Sequence, residues 1–255
     1  AAGGALDRFT AAALDPPADI RAVAVADHGD LTVADARPEE ALEPVASAIG
    51  RALADADVVV VLGGDNSVTR PGVRGVGPDL DAVALLTLDA HVDFRATDRG
   101  MTNGNPVRAL VEDGLPGRNI VQVGIQSFAN SPTYLADAGA AGVGIVGVER
   151  VRDRGIDAVI GEALDTLAAR AGAVYVDLDL DVLDAAFAPA CPGARPGGLA
   201  PWDLRRAARR CGAHPAVRAL DLVEIDPERD PAGATSLVAA SCLLEFAAGV
   251  AARSG

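Results

Sequence analysis

Residues 82–88 form an almost wholly apolar run that closes on Asp89-Ala90-His91-Val92-Asp93. A strand that is apolar at nearly every position has to be buried on both faces, the condition of a strand inside a parallel sheet covered by helices. Side chains two apart on an extended chain share a face, so Asp89, His91 and Asp93 leave the end of this strand together. Sheets of this kind bind ligands outside the carboxyl ends of their strands, where these three side chains fall. Two carboxylates and an imidazole on one edge make a metal site; a solvated turn is the alternative that this stretch alone leaves open.

A second stretch weighs against the turn. Residues 175–184 read Tyr-Val-Asp-Leu-Asp-Leu-Asp-Val-Leu-Asp, which puts Asp177, Asp179 and Asp181 on one face with apolar residues between them. Burying like charges side by side costs several kcal/mol per ion unless a counter-charge is present, and no basic residue stands nearby in sequence. A cation is the economical partner. Two strands ending in carboxylates can clamp two divalent ions roughly 3.5–4 Å apart, an arrangement that activates water at neutral pH. Asp184, and with it Asp177, carries the alternative reading of a turn or helix cap.

The rest of the chain alternates in the same style. Strands are predicted at 21–26, 57–62 (buried), 119–124, 143–148, 173–180 and 217–223 besides 82–88. Helices are predicted at 38–56, in a short piece reaching 76, and at 131–138, 153–171, 201–212 and 235–252. Residues 95–107 are polar and Gly-bearing and read as a loop over the site. Strands alternating with helices imply right-handed crossovers and a sheet covered on both faces. The fold class is therefore α/β, three layers α/β/α, with residues 1–255 as one domain because no linker composition divides them.

Composition removes other functions. The net charge is −14 and the basic residues are all arginine, which argues against a nucleic-acid partner and removes the lysine of a phosphate-binding loop. A cationic ligand suits that field. No run is read as long enough to span a membrane and no leader is evident, so a cytoplasmic protein is expected. Cys191, Cys211 and Cys242 are too few and too widely spaced for a disulfide framework or a Cys-x-x-Cys zinc site, and three reduced thiols are expected. D-x-D strands also hold Mg²⁺ in phosphoryl and glycosyl transferases, but that reading leaves Asp89 to Asp93 unexplained.

These residues resemble the ureohydrolases, the family of arginase, agmatinase, proclavaminate amidinohydrolase and formimidoylglutamase. Gly63-Gly64-Asp65-Asn66-Ser67 is similar to its Gly-Gly-Asp-His-Ser, and Asp89-Ala90-His91-Val92-Asp93 matches its Asp-Ala-His-x-Asp. Asp179 to Asp184, continuing through Phe187-Ala188-Pro189 to Gly197-Gly198-Leu199, resembles its Asp-x-Asp-x-x-Asp-Pro segment, and Glu224-Ile225-Asp226-Pro227 its Glu-x-Asn-Pro. The resemblance runs from about Asp27 onward. It implies the arginase-like fold, a mainly parallel sheet of roughly eight strands whose opening strand is expected to be missing from this chain. It implies two Mn²⁺ ions, with Asp89 and Asp179 shared, Asn66 and Asp93 completing the first site, and His91 and Asp181 the second. It also implies hydrolysis of an amidine by activated water, with Glu224 on the amidinium, Asp93 passing a proton to the departing amine, and a trimeric or hexameric homo-oligomer.

The chain departs from that pattern twice. Asn66 stands where the family has His in the first metal site, and Asn103, in Thr102-Asn103-Gly104-Asn105-Pro106, stands where some members carry a substrate-loop His with a catalytic role. An amide binds metal more weakly than imidazole and cannot shuttle protons. Gly124-Ile125-Gln126, Phe128 and Asn130 resemble the formimidoylglutamase branch, as does the run from Thr102 to Arg108. The loop after Gly124 has no acidic residue to meet an α-ammonium, whereas Arg95 and Arg108 put positive charge at the mouth, with Asn105 and Asn130 beside them as further substrate contacts. The expected substrate is N-formimidoyl-L-glutamate; the alternatives are a guanidino substrate (arginine, hydroxyarginine or agmatine) and a non-catalytic metal-binding relative.

The Asn66 substitution predicts unequal metal sites. Titrating Mn²⁺ into stripped protein should give one tight and one weaker ion, and Asn66→His should tighten the weaker one. Two equally tight ions with no gain in the variant would make Asn66 a turn residue only.

Overall fold

A computed structural model describes residues 12–14, 17–33 and 36–254. A short antiparallel hairpin of β1 (Ala12–Leu14) and β2 (Pro17–Asp19) precedes helix α1 (Pro38–Asp55). Then follow β3 (Val59–Leu62), α2 (Thr69–Val76), β4 (Val83–Leu88), α3 (Pro106–Glu112), β5 (Ile120–Ile125), α4 (Pro132–Ala140) and β6 (Gly144–Gly147). The chain closes with α5 (Val148–Arg154), α6 (Ile156–Ala168), β7 (Ala173–Asp179), α7 (Pro201–Ala213), β8 (Val217–Val223) and α8 (Ala234–Ala251). The last six strands form one parallel sheet in the order β3-β8-β7-β4-β5-β6.

Every residue of β4 and β5 is buried, which explains their unbroken apolar character. Alternate residues of β4 serve opposite layers. Val83 and Leu85 pack with Val73 of α2, Leu110 of α3 and Ala138 of α4, while Ala84, Leu86 and Leu88 pack with Val151 of α5, Ile160 of α6, Leu204 of α7 and Phe246 of α8. The result is the expected α/β/α sandwich.

The described parallel sheet has six strands of the roughly eight that the resemblance implies for the arginase-like fold, whose opening strand is expected to be missing from this chain. Several expectations are corrected. Residues 21–26 are no strand: Asp19 accepts the Arg21 N–H and closes a turn at Ile20–Ala22, after which the chain is exposed coil. β3 is an edge strand of the described sheet, with Leu62 70% exposed, rather than a buried one. The helix expected at 153–171 is two, parted at Gly155, whose φ of +80° suits glycine and breaks the helical path. The loop expected at 95–107 gives way to α3 at Pro106, a first-turn position that proline favours. Finally, α8 has 18 residues and a mean hydropathy of 1.6, long and apolar enough to cross a membrane. In this fold it lies against α7, burying Ala239, Cys242 and Phe246.

α2 meets the sheet closely because Gly72 sits on the Tyr175 ring, the bulkiest fully buried side chain; a Cβ there would stand 2.3 Å from the ring carbon Cζ. Gly72→Ala should cost about 1–3 kcal/mol through overpacking, read as a lower denaturant midpoint at unchanged slope. An unchanged midpoint would mean that α2 can shift freely.

Candidate active site

Four neighbouring strands deliver the site. β4 and β7 pair in parallel with Leu88 beside Leu178, so Asp89 and Asp179 emerge side by side at their carboxyl ends. β8 lies on the other side of β7 and ends just before Glu224; β3, next to β8, ends just before Gly63-Gly64-Asp65-Asn66. Sequence positions 62 to 224 thus meet on one edge for a purely topological reason.

Within that edge Asn66, Asp89, Asp93, Asp179 and Asp181 are buried and His91 is partly exposed. The Asn66 amide nitrogen donates to Asp93 Oδ2 at 2.5 Å and, at 3.4 Å, faces Asp89 Oδ2. His91 Nδ1 lies 2.6 Å from Asp181 Oδ2 and 3.6 Å from Asp89 Oδ1. Asp89, His91 and Asp181 each present a ligand atom within 4.8 Å of the others. Two site residues have left-handed backbone without being glycine, Asp93 at φ +46° and Glu224 at φ +65°. Such conformations cost of order 1–3 kcal/mol each and persist only where surrounding contacts enforce them.

The remaining expected residues divide. Glu224 Oε1 accepts from the Asn66 backbone N–H at 2.9 Å and from Asn103 Nδ2 at 3.1 Å, which places Asn103 at the rim of the cluster. A cavity of about 130 Å³ is lined by His91, Asp93, Arg95, Asn130 and Tyr134 among others. Arg108 and Asn105 are not among its walls. Arg108 pairs with Glu112 at 3.0 Å and reaches Asp137 at 3.5 Å, with its guanidinium over the Phe94 ring. Asn105 is buried and its side chain ties the loop, accepting from Thr102 N and donating to the Ala96 and Gly100 carbonyls. Asp184 accepts from Ala186 N and Gly197 N, a cap as the alternative reading had it, whereas the carboxyl of buried Asp177 shares a hydrogen bond with that of Asp221 beneath the cluster. Sequence reasoning missed Tyr134, and it missed Thr69, whose hydroxyl lies 2.7 Å from Asn66 Oδ1 and 2.9 Å from Asp221 Oδ2. A residue three after Asn66 on a helical turn was the available signal for Thr69.

The arginase family model matches residues 5–249 of this sequence. The chain belongs to the arginase family. It is 35% identical over 195 residues to formimidoylglutamase of Bacillus subtilis (strain 168), which covers 76% of this chain and 61% of that one. It is also 35% identical over 190 residues to guanidinopropionase of Pseudomonas aeruginosa, covering 72% of this chain and 58% of that one. The chain therefore spans about three fifths of the length of these curated relatives. The solved structure of the Bacillus subtilis formimidoylglutamase matches with a TM-score of 0.89 at 30% identity, over 97% of this chain and 78% of that one. The ureohydrolase resemblance carried by the motifs and the arginase-like α/β fold both stand.

Electrostatics show what the arginase-family edge demands. Burial, and then the charges of the neighbouring carboxylates, push Asp89 and Asp179 well above the ordinary carboxylate range. Burial and the Asp181 charge raise Asp93 to about 7. Burial alone would lower the His91 imidazole, but the hydrogen bond and charge of Asp181 outweigh it and hold it above its usual value. Burial would likewise raise Asp181, yet the His91 contact holds it below its ordinary range. Between the ordinary value of 3.8 and about 7, folded chains keep an Asp93 proton that unfolded chains have released. Stability of metal-free protein should therefore fall as pH rises through that window. Thermal scans at about pH 5 and about pH 8 should show the lower Tm at the higher pH, with added Mn²⁺ raising Tm more there, because the cation takes the place of the proton. A Tm that rises with pH without metal would contradict this electrostatic picture.

Proposed function

We propose that this chain, as one ureohydrolase domain over residues 1–255, is a manganese-dependent hydrolase that cleaves N-formimidoyl-L-glutamate to L-glutamate and formamide. The observation that carries the reading is the convergence of four carboxylates, one imidazole and one carboxamide at the ends of β3, β4 and β7, with Glu224 of the β8 end bonded to the same group. The donor set fits the metal: hard oxygens with a single imidazole suit Mn²⁺. The buried carboxyl groups, held above their ordinary range for want of counter-charge, are those a cation would relieve. Asp89 and Asp179 would be shared between two ions, Asn66 and Asp93 would complete one, and His91 and Asp181 the other. Bound there, the ions would supply water activated at neutral pH and charge stabilisation at the reacting carbon.

The chain's own groups do the rest. Glu224, fixed by the Asn66 N–H and by Asn103, pairs the substrate's amidinium. Asp93, at the edge of the cluster, accepts a proton and returns it to the departing amine, as the C–N bond to the glutamate nitrogen breaks and the formimidoyl carbon leaves as formamide. Arg95 in the cavity wall pairs a distal carboxylate of the substrate. Asn105 supports substrate binding by shaping the loop that carries Asn103. Arg108 supports it through Phe94, a residue of the cavity wall, and through positive charge near the mouth. The identity to guanidinopropionase favours a second reading, a guanidino acid, which would use the same Glu224 and Arg95 pairing.

Two measurements test this. In a panel of formimidoylglutamate, guanidinopropionate, arginine and agmatine, the first should have the highest kcat/KM. Arg95→Ala should raise its KM roughly 10- to 100-fold, the worth of a charge-assisted hydrogen bond, with little change in kcat. Preference for arginine or agmatine, or an unchanged KM in the variant, would overturn the assignment. Asp179→Ala should lose bound metal and turnover together, whereas Asp177→Ala should keep the metal; equal losses would overturn the ligand assignment.

A further inference from the structure

The segment that carries His91 and Asp93 runs past the end of the β4–β5 pairing, whose last register pair is Leu88 with Val123. Beyond it, the backbone still bonds from Asp89 N to the Val123 carbonyl and from Gln126 N to the Ala90 carbonyl, both at 3.0 Å, and side-chain amides from the β5 arm add to these. Asn130 Oδ1 accepts from the Val92 N–H at 2.8 Å, and its Nδ2 donates to the Ala90 carbonyl at 3.0 Å. The two contacts bracket His91. Gln122, fully buried in β5, donates from Nε2 to the Val92 carbonyl at 3.2 Å. Val92 is itself buried, so both of its backbone polar groups are satisfied by side-chain carboxamides where a strand partner would ordinarily serve.

The next residue is Asp93, held at φ +46°. A left-handed non-glycine residue stays there only when its flanks are fixed, and the peptide entering Asp93 is the one Gln122 grips. Asparagine suits position 130 because it offers an acceptor and a donor at once; aspartate would set a second oxygen against the Ala90 carbonyl, and alanine would leave the Val92 N–H unmet, with the Ala90 carbonyl keeping only the Gln126 N–H at 3.0 Å.

Resting on the reading of this edge as a metal site, we propose that Asn130 and Gln122 are positioning residues that hold the His91–Asp93 segment in its ligating conformation and so set the metal affinity. Asn130 lines the cavity, but its amide is committed to the backbone of the ligand segment.

The test compares wild type, Asn130→Ala and Gln122→Met after metal stripping, with circular dichroism checking that each variant is folded. Mn²⁺ titrated calorimetrically should bind about 10- to 100-fold more weakly to both variants, the usual effect of losing a group that orients a ligand. Hydrogen exchange in metal-free protein gives a reading independent of binding. The Val92 amide should exchange slowly in wild type and in Gln122→Met, where Asn130 still accepts it, and rapidly in Asn130→Ala. Equal Mn²⁺ affinity in wild type and Asn130→Ala, or a higher KM as that variant's only defect, would overturn the proposal. Loss of affinity in the variants, with a metal-loaded wild type that hydrolyses no amidine, would instead overturn the proposed function and leave the positioning role standing.

Discussion

Four carboxyl groups that repel one another in a buried space set the terms for the rest of this structure. Asp89, Asp93, Asp179 and Asp181 are brought together where water is largely excluded, and the cation in hydrogen-bonding reach among the described residues is the single imidazole of His91. An unpaired buried charge costs several kcal/mol, and a whole domain is stable by only about 5–15 kcal/mol, so the group cannot stay fully ionised without partners. Protons or metal ions must make up the difference. The raised values of Asp89, Asp93 and Asp179 express the first solution, and the donor geometry suits the second.

The architecture accommodates that repulsion by rigidity. Parallel pairing of β4 with β7 and β7 with β8 fixes where the carboxylates emerge, and the two covering layers bury β4 and β5 completely. Backbone strain concentrates where the chain leaves the sheet, at Asp93 and Glu224, and each is tied down by neighbours: Asp93 through the amides gripping Val92, Glu224 through the Asn66 N–H. Thr69, Tyr175 and Asp221 continue this support beneath the site, with both hydroxyls at 2.8–2.9 Å from one Asp221 oxygen. Tyr175 in turn packs under Gly72, so the close approach of α2 to the sheet and the placement of Asn66 share a contact.

Much of this was legible in the sequence because the strands that carry the site are buried on both faces. The apolar runs before Asp89 and around Asp177 to Asp181 could belong to little else, and the two-residue spacing of the acids survives folding as a shared direction. The edge strand β3 was misjudged because four consecutive apolar residues look alike whether a neighbour covers them or not. The break at Gly155 was hidden by apolar periodicity that continues across it from α5 into α6. Residues 21–26 have strand-like composition, but the local Asp19 cap wins over propensity where no sheet neighbour is at hand. The roles of Gln122 and Tyr134 could not be read at all, since each depends on neighbours brought near only by the fold, whereas Thr69 could have been placed beside Asn66 by its three-residue spacing. Arg108 and Asn105 were legible as polar groups near the site; their commitment to Glu112, Asp137 and the loop backbone was not.

The binuclear centre is the proposal that the strand-end cluster supports, and its most direct test is to see the ions. Crystals grown with Mn²⁺ and measured just above the manganese absorption edge should give two anomalous difference peaks, both between Asp89 and Asp179, one nearer Asn66 and Asp93 and the other nearer His91 and Asp181. Peaks at other acidic clusters, or none at the ends of β4 and β7 in crystals soaked to saturation, would contradict the account.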